Sequence, residues 1–133
     1  MTPRQVELVR ETWRGILPIR DTFAELFYRK LFDLDPALRA LFGSDLREQG
    51  RSLVAMVSIA VRHLRQPEKV AQALRDLGRR HAHYGAREQH YLTVGTAWIL
   101  TLDLSLGEAF TAEMRQAWEA AYGFLVRAMT APQ

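Results

Sequence analysis

Apolar side chains recur every three or four residues along almost the whole chain, which is the spacing of one face of an α-helix. The first run contains Val6, Val9 and Trp13 and is interrupted by Pro18. It begins with Thr2–Gln5, which resembles a capping box with proline at the first helical position. No segment favours a strand. The sequence therefore predicts an all-α protein.

Seven helical segments are predicted, and most of their boundaries coincide with a proline or a glycine. In order, they cover about residues 2–17, 19–32, 36–42, 46–64, 67–85, 88–106 and 111–129. No repeat, low-complexity stretch or linker separates them. The sequence thus favours a single domain over residues 1–133, long enough for one core and too short for a second catalytic module.

Composition limits the kinds of partner. The chain has no cysteine, which excludes disulfides, thiolate metal sites and a cysteine nucleophile. The net charge is only +3, and the arginines are scattered from Arg4 to Arg127, so nucleic-acid binding is not expected. The amino terminus lacks the long apolar run of a signal peptide or a membrane span. We therefore expect a cytoplasmic protein with no membrane partner.

His81 lies near the end of the fifth predicted helix, on the apolar face that also carries Leu74 and Leu77. A ring projecting from that face would enter the core, where an unpaired imidazole is costly. Two interpretations follow: a core histidine bonded to a backbone carbonyl, or a ligand to a metal. His83 is roughly opposite on the helix, so the two rings cannot share one metal. The other histidines are expected to be solvated or to cap helices: His63, His83 and His90.

The chain resembles the globin family over essentially its whole length. The likeness rests on the order and spacing of the helices and on three short motifs, which are Leu41–Phe42, Leu77–Gly78–Arg79–Arg80–His81 and Tyr91-x-x-Val94–Gly95. Within the family, the chain is similar to single-domain bacterial globins of the flavohaemoglobin and neuroglobin-like branch. The resemblance implies a three-on-three sandwich of seven or eight helices around one haem b. It also implies that His81 is the proximal ligand of the haem iron.

Three residues match positions on the distal side of the haem, where a gas binds: Tyr28, Gln49 and Leu53. The resemblance gives Tyr28 and Gln49 the role of hydrogen-bond donors to a negatively polarised gas, each worth roughly 1–3 kcal/mol in a dry pocket. Leu53, one turn after Gln49, would press on the same gas. Taken singly, Tyr28 could be a core aromatic and Gln49 a surface glutamine. Their combination is the distal set of flavohaemoglobin-like globins, which favours the functional interpretation.

Other matched positions surround the haem. Phe42 corresponds to the corner phenylalanine that packs on the porphyrin, a role compatible with a core aromatic. The proximal side is matched by Leu77, Tyr91 and Val94. Charge and neighbourhood make three arginines candidates for the haem propionates, although at least two of them could be ordinary solvated side chains: Arg47, Arg51 and Arg80.

The resemblance implies a protein that binds dioxygen tightly, with carbon monoxide and nitric oxide as further ligands, and that converts nitric oxide to nitrate. The flavin reductase domain of flavohaemoglobins is missing, so turnover requires a separate reductase. Gln133 lies about where those proteins place a glutamate that makes the proximal histidine more electron-donating, which speaks against peroxidase-like activity. The alternatives are an oxygen carrier or store, a haem-based gas sensor, and a haem-free regulatory globin acting through a partner.

Overall fold

The structure is a computed structural model that describes residues 1–131. Most of these residues lie in six α-helices: α1 (Pro3–Ile16), α2 (Arg20–Leu34), α3 (Leu46–Arg62), α4 (Ala71–His83), α5 (Glu88–Leu106) and α6 (Ala112–Thr130). Short 3-10 helices lie between them: Leu17–Ile19, Pro36–Leu41, Pro67–Lys69 and Gly107–Ala109. The described residues contain no β-strand, so the predicted all-α class is confirmed.

The number of α-helices differs from the expected seven or eight, and the differences lie at prolines. The third predicted helix is the 3-10 helix Pro36–Leu41, and Pro67 begins a 3-10 turn before α4. Proline is tolerated in the first turn of a helix because the missing N–H would have no partner there. Pro18 lies in the 3-10 turn Leu17–Ile19, which joins α1 directly to α2 without an intervening loop.

Side-chain caps fix the starts of three α-helices. Thr2 Oγ1 accepts a hydrogen bond from the Gln5 amide at 3.1 Å, and Gln5 Oε1 accepts one from the Thr2 amide at 3.0 Å, so the predicted capping box is confirmed. Asp45 caps α3 and Thr111 caps α6, each through one bond from the backbone amide three residues on. These bonds satisfy donors that would otherwise lack partners at the helix ends.

The six helices pack as two layers of three. One layer contains α1, α3 and α4, and the other contains α2, α5 and α6. Between the layers, α1 and α4 both pack on α6, and α2 packs on α3. Within the layers, α1 packs on α3, and α5 packs on both α2 and α6. The three-on-three sandwich is therefore confirmed. No helix within residues 1–131 is both long and apolar enough to cross a membrane.

A cluster of aromatic rings fills the core where α1, α2, α5 and α6 meet. Phe23 contacts Trp98 edge-on with 5.1 Å between ring centroids, and Trp98 stacks on Trp13 at 5.7 Å. Trp118 lies 5.9 Å from Trp13 and 6.0 Å from Trp98. All four side chains are buried, and aromatic pairs of this kind contribute roughly 0.5–1.5 kcal/mol each beyond the area they bury. The cluster thus joins helices of both layers.

Two glycines allow helices to approach each other closely. A Cβ on Gly78 of α4 would lie 1.8 Å from the carbonyl oxygen of Met129 in α6, so no other residue fits this crossing unless a helix moves. Where α2 crosses α3, a Cβ on Gly50 would lie 3.0 Å from the Cβ of Ala24. At both crossings the backbones of the two helices lie close together, so the distance between the helices is fixed. A close-packed interior leaves little room to change it.

We expect Gly78→Ala to lower the free energy of unfolding by about 1–3 kcal/mol, because the new methyl group overlaps the Met129 carbonyl and pushes α4 away from α6. The matched control is Gly123→Ala inside α6, where the nearest neighbour is the flexible end of Arg127 at 3.2 Å. The control should leave stability unchanged or raise it by about 0.5–1 kcal/mol, because alanine is the better helix former. Urea unfolding followed by circular dichroism measures both variants, and equal midpoints would contradict the close crossing.

Candidate functional site

A largely apolar cavity of about 250 Å³ lies among helices α2 to α6. At its inner end it is lined by the buried rings of Trp98 and Trp118. Its most exposed lining residues, Leu41 and Tyr84, mark the mouth, with 38% and 67% of their surface accessible. Gly85 turns the chain there with a φ of 98°, and a Cβ on it would lie 3.6 Å from Leu41 Cδ2. Two corners of the fold therefore meet across the mouth.

The fold brings together six of the residues that the sequence predicted for a site. They line the cavity from α3, α4, α5 and the corner before α3: Phe42, Leu53, Leu77, His81, Tyr91 and Val94. The other predicted residues do not line it: Tyr28, Gln49, Arg47, Arg51 and Arg80. The helical residues among the six lie on apolar helical faces, and the packing of the helices turns these faces toward the cavity.

His81 stands in the last turn of α4 and lines the cavity. Within residues 1–131 neither ring nitrogen has a hydrogen-bond partner, so the structure does not support a core histidine bonded to a backbone carbonyl. Burial lowers the pKa of the ring below its ordinary value of 6.5, and the positive charge of Arg80 lowers that pKa further. The ring is therefore neutral near pH 7, which is the form that offers a lone pair to a metal.

His90 also lines the cavity, which the sequence did not indicate. Its Nδ1 accepts a hydrogen bond from the Arg87 amide at 2.9 Å, which confirms the expectation that it caps a helix, here α5. This hydrogen bond occupies the Nδ1 lone pair of His90, which is therefore not available to a metal. His83 is exposed and does not line the cavity. Of the two cavity histidines, His81 is the one available as a ligand.

Tyr28 is buried in α2 beside the cavity. Its ring contacts Phe42 edge-on at 5.5 Å and stacks on Phe32 at 6.0 Å. Burial raises the pKa of its phenol to about 12, so the hydroxyl stays protonated throughout the neutral range. In the described part of the chain, this hydroxyl has no hydrogen-bond partner. Tyr28 thus holds an unpartnered donor next to Phe42, whose side chain is part of the cavity wall.

The side-chain amide of Gln49 lies beside the same corner. Its Nε2 lies 3.1 Å from where a Cβ on Gly43 would be, and its Oε1 is buried without a hydrogen-bond partner. Gly50 brings the same turn of α3 against Tyr28, whose Cε2 would lie 3.6 Å from an added Cβ. A buried polar atom without a partner costs about 1–3 kcal/mol, and an amide can turn over to present either its oxygen or its nitrogen. A phenol and an amide, both unpartnered, therefore lie near Phe42.

The arginines predicted for haem propionates are exposed: Arg47, Arg51 and Arg80. Arg80 acts on the cavity through its charge, which lowers the pKa of the neighbouring imidazole. Arg51 lies in a separate surface groove. Sequence analysis missed Arg39, which donates hydrogen bonds to the carbonyl oxygens of Phe42 and Gly43 at 3.3 and 3.2 Å. Arg39 therefore places a cation at the corner that borders the cavity.

Further lining residues are apolar side chains that the sequence did not link to a site: Met56, Ala60, Leu74, Trp98, Trp118, Leu125 and Met129. Tyr122 was missed altogether. Its hydroxyl donates to the backbone carbonyl of Tyr91, and its ring fills the space beside Gly95, where a Cβ would lie 2.6 Å from Tyr122 Cε2. The Tyr91-x-x-x-Gly95 spacing was the available signal, since it places a small residue one turn after the bonded carbonyl. Gln133, predicted to replace a glutamate, lies outside the described residues.

The globin family model matches residues 25–129, which include all of α3, α4 and α5. The chain belongs to the globin family. Its relatives include neuroglobin of Chaenocephalus aceratus, which is 30% identical over 144 residues that cover 98% of this chain and 91% of the relative. Neuroglobin of Danio rerio is 30% identical over 137 residues, covering 92% of this chain and 86% of that protein. The resemblance drawn from the sequence is confirmed.

Solved structures share the globin fold. An engineered carbene transferase, itself a suggested nitric oxide dioxygenase from Rhodothermus marinus, gives a TM-score of 0.87 at 25% identity and covers 98% of this chain and 91% of its own. A bacterial globin from Campylobacter jejuni gives a TM-score of 0.84 at 20% identity, with 96% of each chain covered. At that identity the Campylobacter protein shows the shared fold alone.

Globins bind haem and gaseous ligands such as dioxygen, and the residues of this cavity fit that cofactor. The walls are apolar, as the face of a porphyrin requires. The cavity volume is close to the lower end of the ~300–1,000 Å³ that is typical of small-molecule sites. His81 supplies an imidazole whose nitrogens have no competing partner among residues 1–131. The donor set therefore suits one iron held from one side.

Proposed function

We propose that this globin holds haem b through His81, binds dioxygen tightly and converts nitric oxide to nitrate with electrons from a separate reductase. One observation carries the proposal: the cavity wall contains one available imidazole, and two unpartnered polar groups, on Tyr28 and Gln49, lie near Phe42 at its edge. Haem held by His81 would supply a redox-active iron for binding gases and for oxidising nitric oxide with dioxygen. Side chains perform the remaining tasks.

His81 is suited to hold the metal because its ring is neutral before the metal arrives. No proton has to leave the imidazole near pH 7 for it to become a ligand. Gly78, one turn earlier in α4, keeps this helix against α6 through the contact with the Met129 carbonyl. The ligand therefore projects from a backbone that cannot shift away from the cavity without breaking a helix crossing.

Tyr28 and Gln49 are suited to stabilise a gas that carries negative charge. The high pKa of Tyr28 keeps its proton in place, so the phenol donates a hydrogen bond without being consumed. Phe42 packs edge-on against Tyr28 and also lines the cavity, so a turn of the Phe42 ring would bring the hydroxyl next to a gas bound in the cavity. Gln49 contributes its amide N–H after turning over. Hydrogen bonds to charged acceptors are worth about 1.5–3 kcal/mol each.

The apolar lining strengthens hydrogen bonds from Tyr28 and Gln49 to a bound gas because it keeps water away. Leu53, Met56 and Val57 of α3 form one side of the cavity, and Leu77 and Val94 belong to α4 and α5. In a medium of low dielectric constant, a hydrogen bond to a charged acceptor is stronger than in water. The same dryness protects a reactive gas from competing proton transfers.

His81→Ala should lose haem during gel filtration, because the one available imidazole in the cavity is removed. His83→Ala is the matched control: its ring is exposed, lies two residues away in the same helix, and should have no influence on haem retention. The Soret band of the eluted protein measures the bound fraction. A His81→Ala protein with the wild-type Soret band would show that His81 is not the ligand that holds the haem.

Tyr28→Phe should speed dioxygen release by roughly 10- to 150-fold, which corresponds to the loss of about 1.4–3 kcal/mol of charge-assisted hydrogen bonding. Carbon monoxide is nearly neutral when bound, so its release should change little and serves as the internal control. The fold should not lose stability, because the hydroxyl has no partner within residues 1–131. Stopped-flow ligand replacement on the ferrous protein gives both rates. A dioxygen off-rate within a factor of two of the wild type would make Tyr28 a core aromatic only.

Rapid mixing of the dioxygen-loaded protein with nitric oxide tests the reaction itself. We expect one round of nitrate formation without a reductase and repeated rounds when an electron donor is present, because the chain supplies the binding site and the partner supplies the electrons. Nitrate measured by ion chromatography, with and without the reductase, reports both. If bound dioxygen survives the mixing and no nitrate forms, the protein is a carrier, a store or a sensor.

A further inference from the structure

A groove on the surface lies between the start of α2 and the first half of α3. Its volume is about 440 Å³, within the ~300–1,000 Å³ that is typical of small-molecule sites. Its lining residues come from the junction of α1 with α2 and from one face of α3: Leu17, Arg20, Asp21, Arg51, Val54, Ala55 and Ser58. None of them lines the cavity, so the groove is a second site.

Two opposite charges in the groove are unpaired. Asp21 belongs to α2 and Arg51 to α3, and neither side chain forms an ion pair or a hydrogen bond within residues 1–131. The remaining charged residue, Arg20, donates a hydrogen bond to the Leu17 carbonyl oxygen at 3.1 Å. Arg51 is thus the guanidinium available to a ligand, and its paired N–H donors match the shape of a carboxylate. Asp21 would accept hydrogen bonds from a cation on the same ligand.

The rest of the groove is mostly apolar. Val54 is buried and Leu17 is half-buried, so they offer a surface to an apolar group of a few carbon atoms. Ser58 ends this surface with a hydroxyl group, whose oxygen accepts a hydrogen bond from Trp13 Nε1 at 2.9 Å. Ser58 is seven residues after Arg51, which is about 10 Å along the helix. That length suits a small side chain better than a long acyl chain.

We propose that the groove binds a free α-amino acid with an apolar side chain about the size of leucine. Its carboxylate binds Arg51, and its ammonium group binds Asp21. Its side chain packs on Leu17, Val54 and Ala55. A simple carboxylate would be repelled by Asp21 and a simple amine by Arg51, so the groove selects a molecule that carries both charges.

The groove lies beside the crossing of α2 and α3. Arg51 directly follows Gly50, where an added Cβ would lie 3.0 Å from Ala24 Cβ and 3.6 Å from Tyr28 Cε2. Asp21 is three residues before Ala24, which is about one turn of α2. An amino acid bound to both Asp21 and Arg51 therefore connects the two helices next to this crossing and resists their separation.

The consequence is regulation of the gas site. Tyr28 and Gln49, the two proposed donors to a bound gas, lie on either side of the crossing that the amino acid stabilises. With both donors held in place, dioxygen release should slow by about fivefold or more, at the low end of usual allosteric coupling. This regulation rests on the proposed function, because it requires haem and bound dioxygen. Binding of the amino acid in the groove requires neither.

The test uses the full chain with haem bound, as the ferrous carbon monoxide complex, which is diamagnetic and gives sharp NMR signals. Amide chemical shifts are followed while leucine is added at low salt. We expect shifts at residues 17–21 and 51–58 with a Kd of about 0.1–1 mM. Isocaproate lacks the ammonium group and isopentylamine lacks the carboxylate, so each should bind at least about tenfold more weakly than leucine.

Variants assign the two charges. Arg51→Gln should weaken leucine binding by about tenfold or more. Asp21→Asn should weaken leucine binding but strengthen isocaproate binding, because the repulsion of the carboxylate is removed. Ala55→Trp fills the groove without changing its charge and should abolish binding of both. Arg62→Gln is the matched control: this exposed arginine of α3 lines neither the groove nor the cavity, so leucine should bind as in the wild type.

Equal affinities for leucine and isocaproate, or an unchanged leucine affinity in Arg51→Gln, overturn the amino acid site. Stopped-flow dioxygen release, measured with and without saturating leucine, tests the regulation. Leucine that binds in the groove but changes the release rate by less than a factor of two overturns the regulation alone. A protein that acquires no Soret band with added haem overturns the proposed function, and the leucine titration of the same protein still decides whether the groove is a site.

Discussion

The contact between Gly78 of α4 and the Met129 carbonyl of α6 determines where one wall of the cavity lies. Backbone meets backbone at this crossing, so no side chain can adjust the spacing, and α4 takes one position along α6. His81 is one turn further along the same helix, so the position of its backbone is fixed by the same contact. Tyr122 fills the space beside Gly95 and so ties α5 to α6 in a similar way. A metal ligand has to project from an element that does not move, and these close contacts provide one.

Four polar side chains in and around the cavity lack hydrogen-bond partners among the described residues. The Tyr28 hydroxyl, Gln49 Oε1, Trp118 Nε1 and the ring nitrogens of His81 have no hydrogen bond within residues 1–131. Gln49 Oε1 and Trp118 Nε1 are fully buried, so their missing hydrogen bonds lower the stability of the fold, and all four groups are available to a molecule that enters. Stability comes instead from the aromatic cluster and the helix caps. Proteins commonly break local rules of this kind where they bind something.

Sequence periodicity predicted the six α-helices, the first capping box and the inward face of α4, because these features depend on residues three or four positions apart. It could not predict contacts between distant segments. Nothing near Gly78 shows that Met129 will lie against it, and nothing near His90 shows that its ring reaches the cavity. Family resemblance matched Tyr28 to the gas-binding side, but it could not show that the ring of Phe42, packed against Tyr28, is the one that lines the cavity. The packing of a single ring makes that difference, and no local pattern encodes it.

The mouth of the cavity is closed by two corners of the fold and not by a helix. Leu41 belongs to a 3-10 helix of six residues, and Gly85 lies just beyond the end of α4, so neither is part of the aromatic core. A flat molecule as wide as a porphyrin should enter more easily when these two corners separate. We therefore expect loading and loss of the proposed cofactor to depend on a local opening that leaves the six helices intact, and hydrogen exchange at the two corners would measure how often that opening occurs.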